Sequence, residues 1–367
     1  MTQTIEELFQ ENKVPKFRLK QLQHAIYKDL ITDYDEISTF PQWLKDKIKE
    51  AKIPLTTMEL IESHRSGNTV KFVLKTHDGH FIESVLIEHK DERKTVCVSC
   101  QVFCAVGCKF CATGANQYRR NLTTEEIVEQ VLFVSRYLKH QEVRVTNVVY
   151  MGMGEPFLTY KPVSESLLML NSPDYFNIGA RHIVVSTSGI VPRIYDYAEI
   201  GIQAKLAISL HAPNQKLRSE MMPISDRYPL DDLMKACDYF VEKTGKRISY
   251  EYVLIGNVND QIEHARELVE LLIDRKAHVN LLVYNPHEFA DYKMPMEKDV
   301  IAFRNYLKTR GIEVTIRKSM GDDISGACGQ LSGKQLDKKK NKAVFAQREF
   351  FDGDLEIKDK SKSPAKA

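Results

Sequence analysis

From about residue 94 to residue 331, short apolar stretches alternate with amphipathic stretches along the sequence. The apolar stretches have the length of buried strands, and the stretches between them have the apolar spacing of helices. Repeated strand–helix units imply a parallel sheet, so we predict an α/β core that is either curled as a partial (βα) barrel or doubly wound. The predicted strands cover residues 95–99, 147–151, 182–186, 205–210, 249–254, 279–283 and 313–316.

Two of the intervening helices have clear end signals. Thr123 followed by Glu126 is typical of a capping box at a helix N-terminus. Gly245 is expected to end a helix over residues 233–244, because glycine readily adopts the left-handed conformation found at helix C-termini. Cys237 falls on the apolar face of that helix and is predicted to be a core residue.

Residues 1–93 have a different pattern and are predicted to form an accessory domain. Apolar residues at helical spacing predict helices up to about residue 60, and the runs 70–76 and 81–87 predict a hairpin turning at Asp78-Gly79. Glu83 lies in the second hairpin strand, where an acidic residue usually faces solvent. The helices also carry a basic cluster, either a solvated face or a phosphate contact with RNA, formed by Lys13, Lys16, Arg18, Lys20 and Lys28.

Three cysteines follow the first predicted strand of the alternating region, in the stretch Cys104-Ala-Val-Gly-Cys108-Lys-Phe-Cys111. Four thiolates saturate a [4Fe-4S] cluster, so a set of three leaves one iron free for an exchangeable ligand. A zinc knuckle would need a further ligand at a matched spacing, and disulfides would need an oxidising compartment. The spacing therefore favours a three-cysteine cluster. Cys97, just upstream, does not fit this spacing and is either a core residue or a redox participant.

Other polar motifs follow the later predicted strands and would meet the cysteines at one rim, because parallel strands end on the same side. These motifs are Gly152-Met-Gly154-Glu155, Ser186-Thr-Ser-Gly, Ser209-Leu210-His211 and Asn285-Pro286. Glycines let a ligand approach the backbone, and Glu155 can accept a hydrogen bond from a ligand ammonium. His211 by itself is more typical of a buried histidine with internal partners. Cys328, between Ala327 and Gly329, is not placed like a packed core residue.

Composition limits the class of protein only in part. The 367-residue chain has a formal net charge of +2, which neither indicates nor excludes nucleic-acid binding. No run reaches the ~18 apolar residues of a membrane span, and the polar start is not a signal peptide, so we predict a cytoplasmic protein with reduced thiols. Residues 332–367 are lysine-rich and are predicted to be a disordered basic tail.

Taken together, these motifs resemble a known family. The Cys-x3-Cys-x2-Cys spacing with Gly-Glu after the second strand is similar to radical S-adenosylmethionine (SAM) enzymes. The stretches that resemble the RlmN/Cfr family of RNA adenine methyltransferases are C-V-S-C-Q-V at 97–102, M-G-M-G-E-P at 151–156, S-L-H-A-P-N at 209–214 and G-D-D-I-S-G-A-C-G-Q-L at 321–331. The similarity runs from about residue 15 to 331. It implies a partial (βα)6 radical SAM barrel over residues 94–331, preceded by a small helical and β-hairpin domain.

The resemblance also implies a role for each motif residue. The cluster ligands would be Cys104, Cys108 and Cys111. The residues that match the family's SAM contacts are Gly154, Glu155, Ser186, Ser209, Leu210, His211 and Asn285. Cys328 matches the cysteine that becomes methylated, and Cys97 matches the thiol that later attacks the Cys328 sulfur and leaves a disulfide. Glu83 matches the glutamate that accepts a proton.

The implied substrates are an adenosine of 23S rRNA near the peptidyl-transferase centre and the adenosine beside the anticodon in some tRNAs, both methylated on carbon 2. The enzyme would use two SAM per product, act as a monomer and receive electrons from a low-potential donor such as flavodoxin or ferredoxin. Related Cfr-type enzymes methylate carbon 8, whereas Pro156 and Asp322-Asp323 resemble the carbon 2 type. A non-catalytic iron–sulfur or zinc protein that binds RNA is the alternative of another class. The chain departs from the family at Cys100 and Phe103, where serine and glycine are usual.

Overall fold

A ten-stranded sheet is the central element of the described part of the chain, residues 4–317 and 320–332 of this computed structural model. The strands found in these residues, in chain order, are β1 (Met58–Ser66), β2 (Thr69–Thr76), β3 (Phe81–Glu88), β4 (Lys94–Cys97), β5 (Gln101–Val102), β6 (Arg120–Asn121), β7 (Asn147–Tyr150), β8 (Ile183–Thr187), β9 (Lys205–Ser209), β10 (Ile248–Leu254), β11 (Ala277–Val283) and β12 (Val314–Arg317). The short strands β5 and β6 pair only with each other, and the remaining strands form the sheet.

Helices connect the strands and also form an N-terminal group. The α-helices of the described residues are α1 (Ile5–Glu11), α2 (Phe17–Tyr27), α3 (Gln42–Glu50), α4 (Thr124–Lys139), α5 (Tyr160–Asn171), α6 (Val191–Glu199), α7 (Gln215–Met221), α8 (Ile224–Arg227), α9 (Leu230–Thr244), α10 (Ile262–Leu272) and α11 (Glu297–Thr309). No helix in this part of the chain is long and apolar enough to cross a membrane.

The strands from β4 to β12 that belong to the sheet pair in parallel and in chain order. At least one helix lies between each consecutive pair along the chain, so within the described residues six strand–helix units are followed by a last strand. The prediction of a partial (βα)6 barrel is confirmed. All carboxyl ends of these strands point to one rim, and this rim is where the polar motifs lie.

The sheet also extends backwards into the first 93 residues. β1, β2 and β3 form antiparallel hairpins, and β3 pairs antiparallel with β4. The side chains of this extension, such as Phe72 and Leu86, belong to the main hydrophobic core, whereas the N-terminal helices have a core of their own around Leu44 and Ile48. The hydrophobic cores therefore divide between α3 and β1. The domain boundary at residue 93 stays a prediction.

The helix-end signals have the structural effect that their residue types suggest. The Glu126 N–H donates to the Thr123 side chain, and the Thr123 N–H donates to the Glu126 carboxylate, which completes the capping box of α4. Gly245 ends α9 with a φ of 70°, and Cys237 is fully buried in the core. α9 starts at Leu230, three residues before its predicted start. Of the predicted tail, all residues after Ser332 lie outside the described part of the chain.

Candidate active site

The carboxyl ends of the parallel strands surround a cavity with about 990 Å³ of free space, counted to its open mouth. The predicted site residues that line the cavity are Cys104, Cys108, Cys111, Gly154, Glu155, Ser186, Ser209, His211, Asn285 and Cys328. Leu210, Cys97 and Glu83 are buried and are not among the lining residues. The fold therefore brings ten of the thirteen predicted site residues to one cavity.

The loop between β5 and β6 holds the three clustered cysteines. Because β5 and β6 pair antiparallel, the two ends of the loop lie side by side. Within the loop, the Cys111 N–H donates to the Cys108 carbonyl at 3.2 Å, and Gly107 has a φ of 70°, which glycine adopts without strain. The Ala112 N–H donates to the Gly329 carbonyl at 2.8 Å, so the cysteine loop is joined directly to the segment that carries Cys328.

The three thiols are chemically suited to an iron–sulfur cluster. Burial raises the pKa of Cys104 to about 12 and that of Cys108 well above its usual value, and the neighbouring thiols raise the pKa of Cys108 further. These thiols are therefore expected to release protons on binding a metal. Across residues 4–317 and 320–332, no three His, Cys, Asp or Glu side chains converge as ligands of a single ion would. A [4Fe-4S] cluster requires less convergence, since each thiolate binds its own corner iron.

The two departures from the family pattern have different structural settings. Phe103 has a φ of 62°, a left-handed conformation that costs most residues ~1–2 kcal/mol and glycine almost nothing. This conformation gives a physical reason for the glycine that is usual at the position. Cys100 is buried, has a hydrogen bond with Thr159, and has a pKa raised well above its usual value, mainly by burial. It is not among the residues that line the cavity.

The glycines after β7 allow a close approach between two parts of the backbone. A Cβ at Gly152 would lie 2.7 Å from the Val98 carbonyl oxygen, and a Cβ at Gly154 would lie 2.5 Å from the Cβ of Gln101. Both contacts are too short for any other residue. The close approach that requires glycine is therefore that of the β7 loop to residues 98–101, which lead into the cysteine loop.

Glu155 is a buried carboxylate held by backbone N–H groups. The Ser188 N–H donates to its Oε2 at 2.7 Å, and the Phe157 N–H donates to its Oε1 at 2.9 Å. Burial raises the pKa of Glu155, and the backbone hydrogen bonds oppose that rise because they stabilise the ionised form. The side chain is fixed against the cavity and is suited to bind a ligand ammonium.

His211 is a neutral histidine at the rim. Burial and the nearby Arg218 guanidinium lower its pKa to about 3. Its Nδ1 accepts a hydrogen bond from the Val253 N–H at 3.0 Å, so the proton of the neutral ring is on Nε2. The hydroxyls of Ser186 and Ser209 lie 3.4 Å apart on the neighbouring strand ends. His211 is thus both the internally bonded histidine that its residue type suggests and a cavity residue with an N–H donor.

The segment that carries Cys328 packs across the cavity. The Thr113 hydroxyl donates to the Leu331 carbonyl at 2.6 Å, and the Asn285 amide donates to the Cys328 carbonyl at 3.4 Å. Cys328 is exposed overall, yet its thiol is surrounded by enough protein that burial raises its pKa, while the nearby Arg317 lowers it. The loop therefore holds Cys328 over the same cavity as the cluster cysteines.

Cys97 ends β4 beneath this segment. Burial raises the pKa of Cys97 to about 12, and the proximity of Cys328 contributes to that rise. A mutual electrostatic effect requires that the two thiols lie near each other. Both are free thiols in the structure. The fold thus brings together two cysteines that are 231 positions apart in the sequence, Cys97 and Cys328.

Glu83 is fully buried, which contradicts the expectation that an acidic residue in a hairpin strand faces solvent. Its Oε1 lies 2.9 Å from Lys71 Nζ, and its Oε2 accepts a hydrogen bond from the Ser332 N–H at 2.8 Å. Lys71 is equally buried and sits diagonally across the β2–β3 pair. The ion pair compensates the charge that makes burial of a lone carboxylate unfavourable. Glu83 therefore connects the hairpin to the end of the Cys328 segment.

The chain is similar to known proteins over most of its length. The sequence model of the Radical SAM superfamily matches residues 98–272. A protein of Bacillus velezensis with the name "Probable dual-specificity RNA methyltransferase RlmN" is 45% identical over 332 residues, 90% of this chain and 91% of the relative. One of the same name from Dictyoglomus thermophilum is 45% identical and covers 89% of this chain and 93% of its own length. The chain belongs to the RlmN family.

A solved structure agrees with this assignment. The radical SAM methyltransferase from Sphaerobacter thermophilus superimposes with a TM-score of 0.86 at 43% sequence identity, over 91% of this chain and 98% of the other. As a member of the RlmN family, the chain is a radical SAM methyltransferase. Membership of the superfamily implies a [4Fe-4S] cluster and SAM as cofactors, and the cysteine loop and the cavity fit both.

Arg218 is a residue of this RlmN-family site that the sequence did not indicate. Its buried guanidinium donates to the Ser188 carbonyl at 2.5 Å and to the Leu210 carbonyl at 3.2 Å. These bonds fix the ends of β8 and β9 relative to each other. The Leu210 side chain is buried in the core, so a SAM contact at this position would have to come from its backbone. From the sequence alone, a single arginine near the end of a helix looks the same whether it is buried or exposed on the surface.

Proposed function

We propose that this chain methylates carbon 2 of adenosine in 23S rRNA and tRNA, and that Cys328 carries the methyl group. The relatives supply the class of substrate, since they are named as dual-specificity RNA methyltransferases. The observation that carries the proposal is the shared cavity of Cys328 and the three cluster cysteines, with Cys97 close behind. A protein that only bound RNA would not need two non-ligand thiols at this place.

The cavity residues have separate tasks in holding the cofactors. Cys104, Cys108 and Cys111 would hold the [4Fe-4S] cluster, and Glu155 would bind the ammonium of SAM. His211 would donate a hydrogen bond through Nε2, and Ser186, Ser209 and Asn285 offer polar atoms on the same rim. When bound and reduced by flavodoxin or ferredoxin, the cluster supplies the electron that cleaves SAM and starts radical chemistry.

Cys328 is needed because carbon 2 of adenine is electron-poor and does not attack the methyl group of SAM. A thiolate is a strong nucleophile even when only a small fraction is ionised, so Cys328 can take the methyl group first. Burial raises the pKa of Cys328, and the Arg317 guanidinium opposes that rise and so favours the thiolate. Cys328 then holds the methyl carbon next to the target base, which has to be unstacked to enter the cavity.

Release of the product would use the two groups beneath the Cys328 segment. Glu83 would accept the proton lost from carbon 2. The Cys97 thiolate would attack the Cys328 sulfur, which forms a disulfide and breaks the bond from that sulfur to the transferred carbon, so that the carbon stays on the RNA with the bonding electron pair. In the described conformation the Glu83 carboxylate is occupied by Lys71 and by the Ser332 N–H. Ser332 lies only four positions after Cys328, so a movement of the Cys328 segment would also uncover Glu83.

The N-terminal helices are proposed to contact the RNA. Phe17 is 53% exposed and Trp43 is 50% exposed, and exposed aromatic rings can stack on unpaired bases. Lys16 and Lys20, on either side of Phe17, are exposed as well, so phosphate contacts are available next to a stacking surface. Arg18 is less available, because its guanidinium donates to the Thr39 carbonyl and to Gln21. This arrangement favours the RNA interpretation of the basic cluster.

Mass spectrometry of rRNA and tRNA from cells with and without this protein tests the proposal. We expect a 2-methyladenosine nucleoside in both RNAs that disappears when the gene is removed and returns with the wild-type gene. A gene for the Cys328→Ala variant should not restore it, whereas one for the Cys237→Ala variant, changed at a core cysteine, should. Methylation on carbon 8, or no methylated adenosine in either RNA, would contradict the proposal.

A further inference from the structure

Glu251 is a buried cavity residue with one oxygen that makes no hydrogen bond. It lies on β10, is 5% exposed, and lines the same cavity as Cys328. Its Oε1 accepts a hydrogen bond from the Asn280 amide at 2.8 Å, but its Oε2 has no hydrogen-bond partner in the structure as described. Buried carboxylate oxygens are nearly always bonded because their desolvation is unfavourable. An oxygen in this state, on a residue that lines a cavity, indicates a ligand with a donor group.

Arg317 partly compensates the charge of Glu251 without using this oxygen as a hydrogen-bond acceptor. Its Nη1 lies 3.5 Å from Glu251 Oε2, close enough for ionic attraction, and the same Nη1 donates to the Met151 sulfur at 3.9 Å. Arg317 also lines the cavity. The guanidinium therefore makes a buried carboxylate tolerable, while Oε2 keeps lone pairs for a donor that enters from the cavity.

The place of Glu251 relative to Cys328 identifies the donor. Glu251 and Arg317 both act electrostatically on the Cys328 thiol, so both lie near it. A base that receives a methyl group on carbon 2 has to present that carbon to Cys328. In adenine, carbon 2 and the 6-amino group lie on the same edge of the ring and are separated by N1 and carbon 6. An acceptor near Cys328 is therefore within reach of the 6-amino group, and extruded bases are read through this edge.

We infer that Glu251 Oε2 accepts a hydrogen bond from the 6-amino group of the target adenine and thereby selects adenine among purines. The inference rests on the proposed function, because it takes the methylated base to be adenine held against Cys328. Glu251 is then a specificity-determining residue. A carboxylate can only accept hydrogen bonds, so it disfavours a base that presents an oxygen at position 6.

The test uses three versions of one RNA stem-loop, with adenosine, purine riboside or inosine at the target position. Purine riboside lacks the 6-amino group, inosine has an oxygen there, and both keep a hydrogen on carbon 2. The methylated product is measured by mass spectrometry to give kcat/KM for each RNA. We expect the wild type to prefer adenosine over purine riboside ~10- to 100-fold, as for the loss of a hydrogen bond to a charged group.

Two variants of Glu251 separate reading of the amino group from support of the site. Glu251→Ala should lower kcat/KM for adenosine to the purine riboside value and leave purine riboside unchanged. Glu251→Gln should reverse the preference towards inosine, because its oxygen can keep the Asn280 bond while its NH2 group donates into the cavity. The glutamine variant keeps the size of the side chain, so it still tests the inference if the alanine variant does not fold. Glu129→Gln, at an equally buried carboxylate that does not line the cavity, is the control.

The outcomes that overturn the inference are distinct from failure of the proposed function. If both variants keep the wild-type ratio of kcat/KM for the adenosine RNA to kcat/KM for the purine riboside RNA, Glu251 does not read the amino group. Loss of RNA-independent SAM cleavage in both variants would assign Glu251 to SAM instead. A wild-type enzyme that methylates none of the three RNAs would contradict the proposed function and, with it, the inference.

Discussion

At the residue scale, Phe103 is a position where residue type and backbone conformation disagree. Its φ of 62° lies in the region that glycine adopts freely, but its half-buried side chain packs against the main core. Packing of an aromatic ring next to Cys104 therefore compensates a strained backbone at the start of the cysteine loop. Strain of this kind persists only where the surrounding structure imposes it.

Replacement of Phe103 by glycine and by alanine separates these two effects. Both variants lose the aromatic packing, but only glycine relieves the left-handed conformation, so Phe103→Gly should have a free energy of unfolding ~1 kcal/mol above that of Phe103→Ala. Denaturant unfolding of the two proteins, prepared with the same iron content, measures the difference. In an unstrained loop glycine would be the less stable of the two, so an alanine variant of equal or greater stability would show that the backbone at Phe103 is not strained.

At the element scale, the β2–β3 hairpin holds the end of the Cys328 segment. Lys71 and Glu83 form a buried ion pair, and Glu83 accepts the Ser332 N–H. On the other side of the segment, the Ala112 N–H donates to the Gly329 carbonyl. The Cys328 segment is thus held between the hairpin and the cysteine loop, which explains how a loop after the last strand keeps a defined position over the cavity.

Removing one or both members of this ion pair distinguishes stability from catalysis. Lys71→Met leaves a buried carboxylate without its cation and should destabilise the protein by ~3–5 kcal/mol. The double variant Lys71→Met with Glu83→Leu should recover most of that stability, since a buried pair can often be replaced by apolar residues. We expect it to remain inactive in RNA methylation because it lacks the carboxylate that is proposed to accept the proton from carbon 2. A stable double variant with wild-type methylation would show that Glu83 has only a structural role.

At the scale of the whole molecule, the sequence predicts the barrel well because its signals are local. The seven predicted strands of the alternating region overlap β4 and the six parallel strands β7–β12, with boundaries that differ by at most two residues. β1 is not predicted, because its inward-facing positions after Leu60 are the polar residues Glu62 and His64, so the stretch lacks the apolar alternation of a strand. The two-residue strands β5 and β6 are too short to leave a pattern at all.

The candidate site can be predicted from the sequence where a motif directly follows a strand. It cannot be predicted where a residue depends on a contact with a residue far away in the sequence. The predicted SAM contacts, from Gly154 to Asn285 along the chain, directly follow strand ends, so the sheet topology alone brings them together. The burial of Glu83 depends on Lys71, which lies on the neighbouring strand, and on the backbone of Ser332 near the other end of the chain. Glu251 and Arg317 are charged residues within strands, and only the three-dimensional structure shows that they face the cavity. Such partners leave no local signal in a single sequence.

Trapping the intermediate tests the central claim, that Cys328 carries the carbon and Cys97 releases it. Cys97→Ala keeps the methyl carrier and removes only the resolving thiol, so turnover should stop with RNA bound covalently to Cys328. The Cys100 thiol is buried in the core and forms a hydrogen bond with Thr159, so we do not expect it to replace Cys97. The double variant Cys97→Ala with Cys100→Ser should therefore behave like Cys97→Ala. Cys237→Ala is the matched control and should release methylated RNA.

The measurement is a denaturing gel of each variant after anaerobic reaction with SAM, reductant and a substrate RNA. The account predicts a slowly migrating protein band for Cys97→Ala that moves faster after nuclease treatment. A peptide from this band should carry the RNA adduct on Cys328. No such band should form with Cys328→Ala or Cys237→Ala. Methylated and freely released RNA from the Cys97→Ala, Cys100→Ser double variant would contradict the account, because another group would then resolve the intermediate.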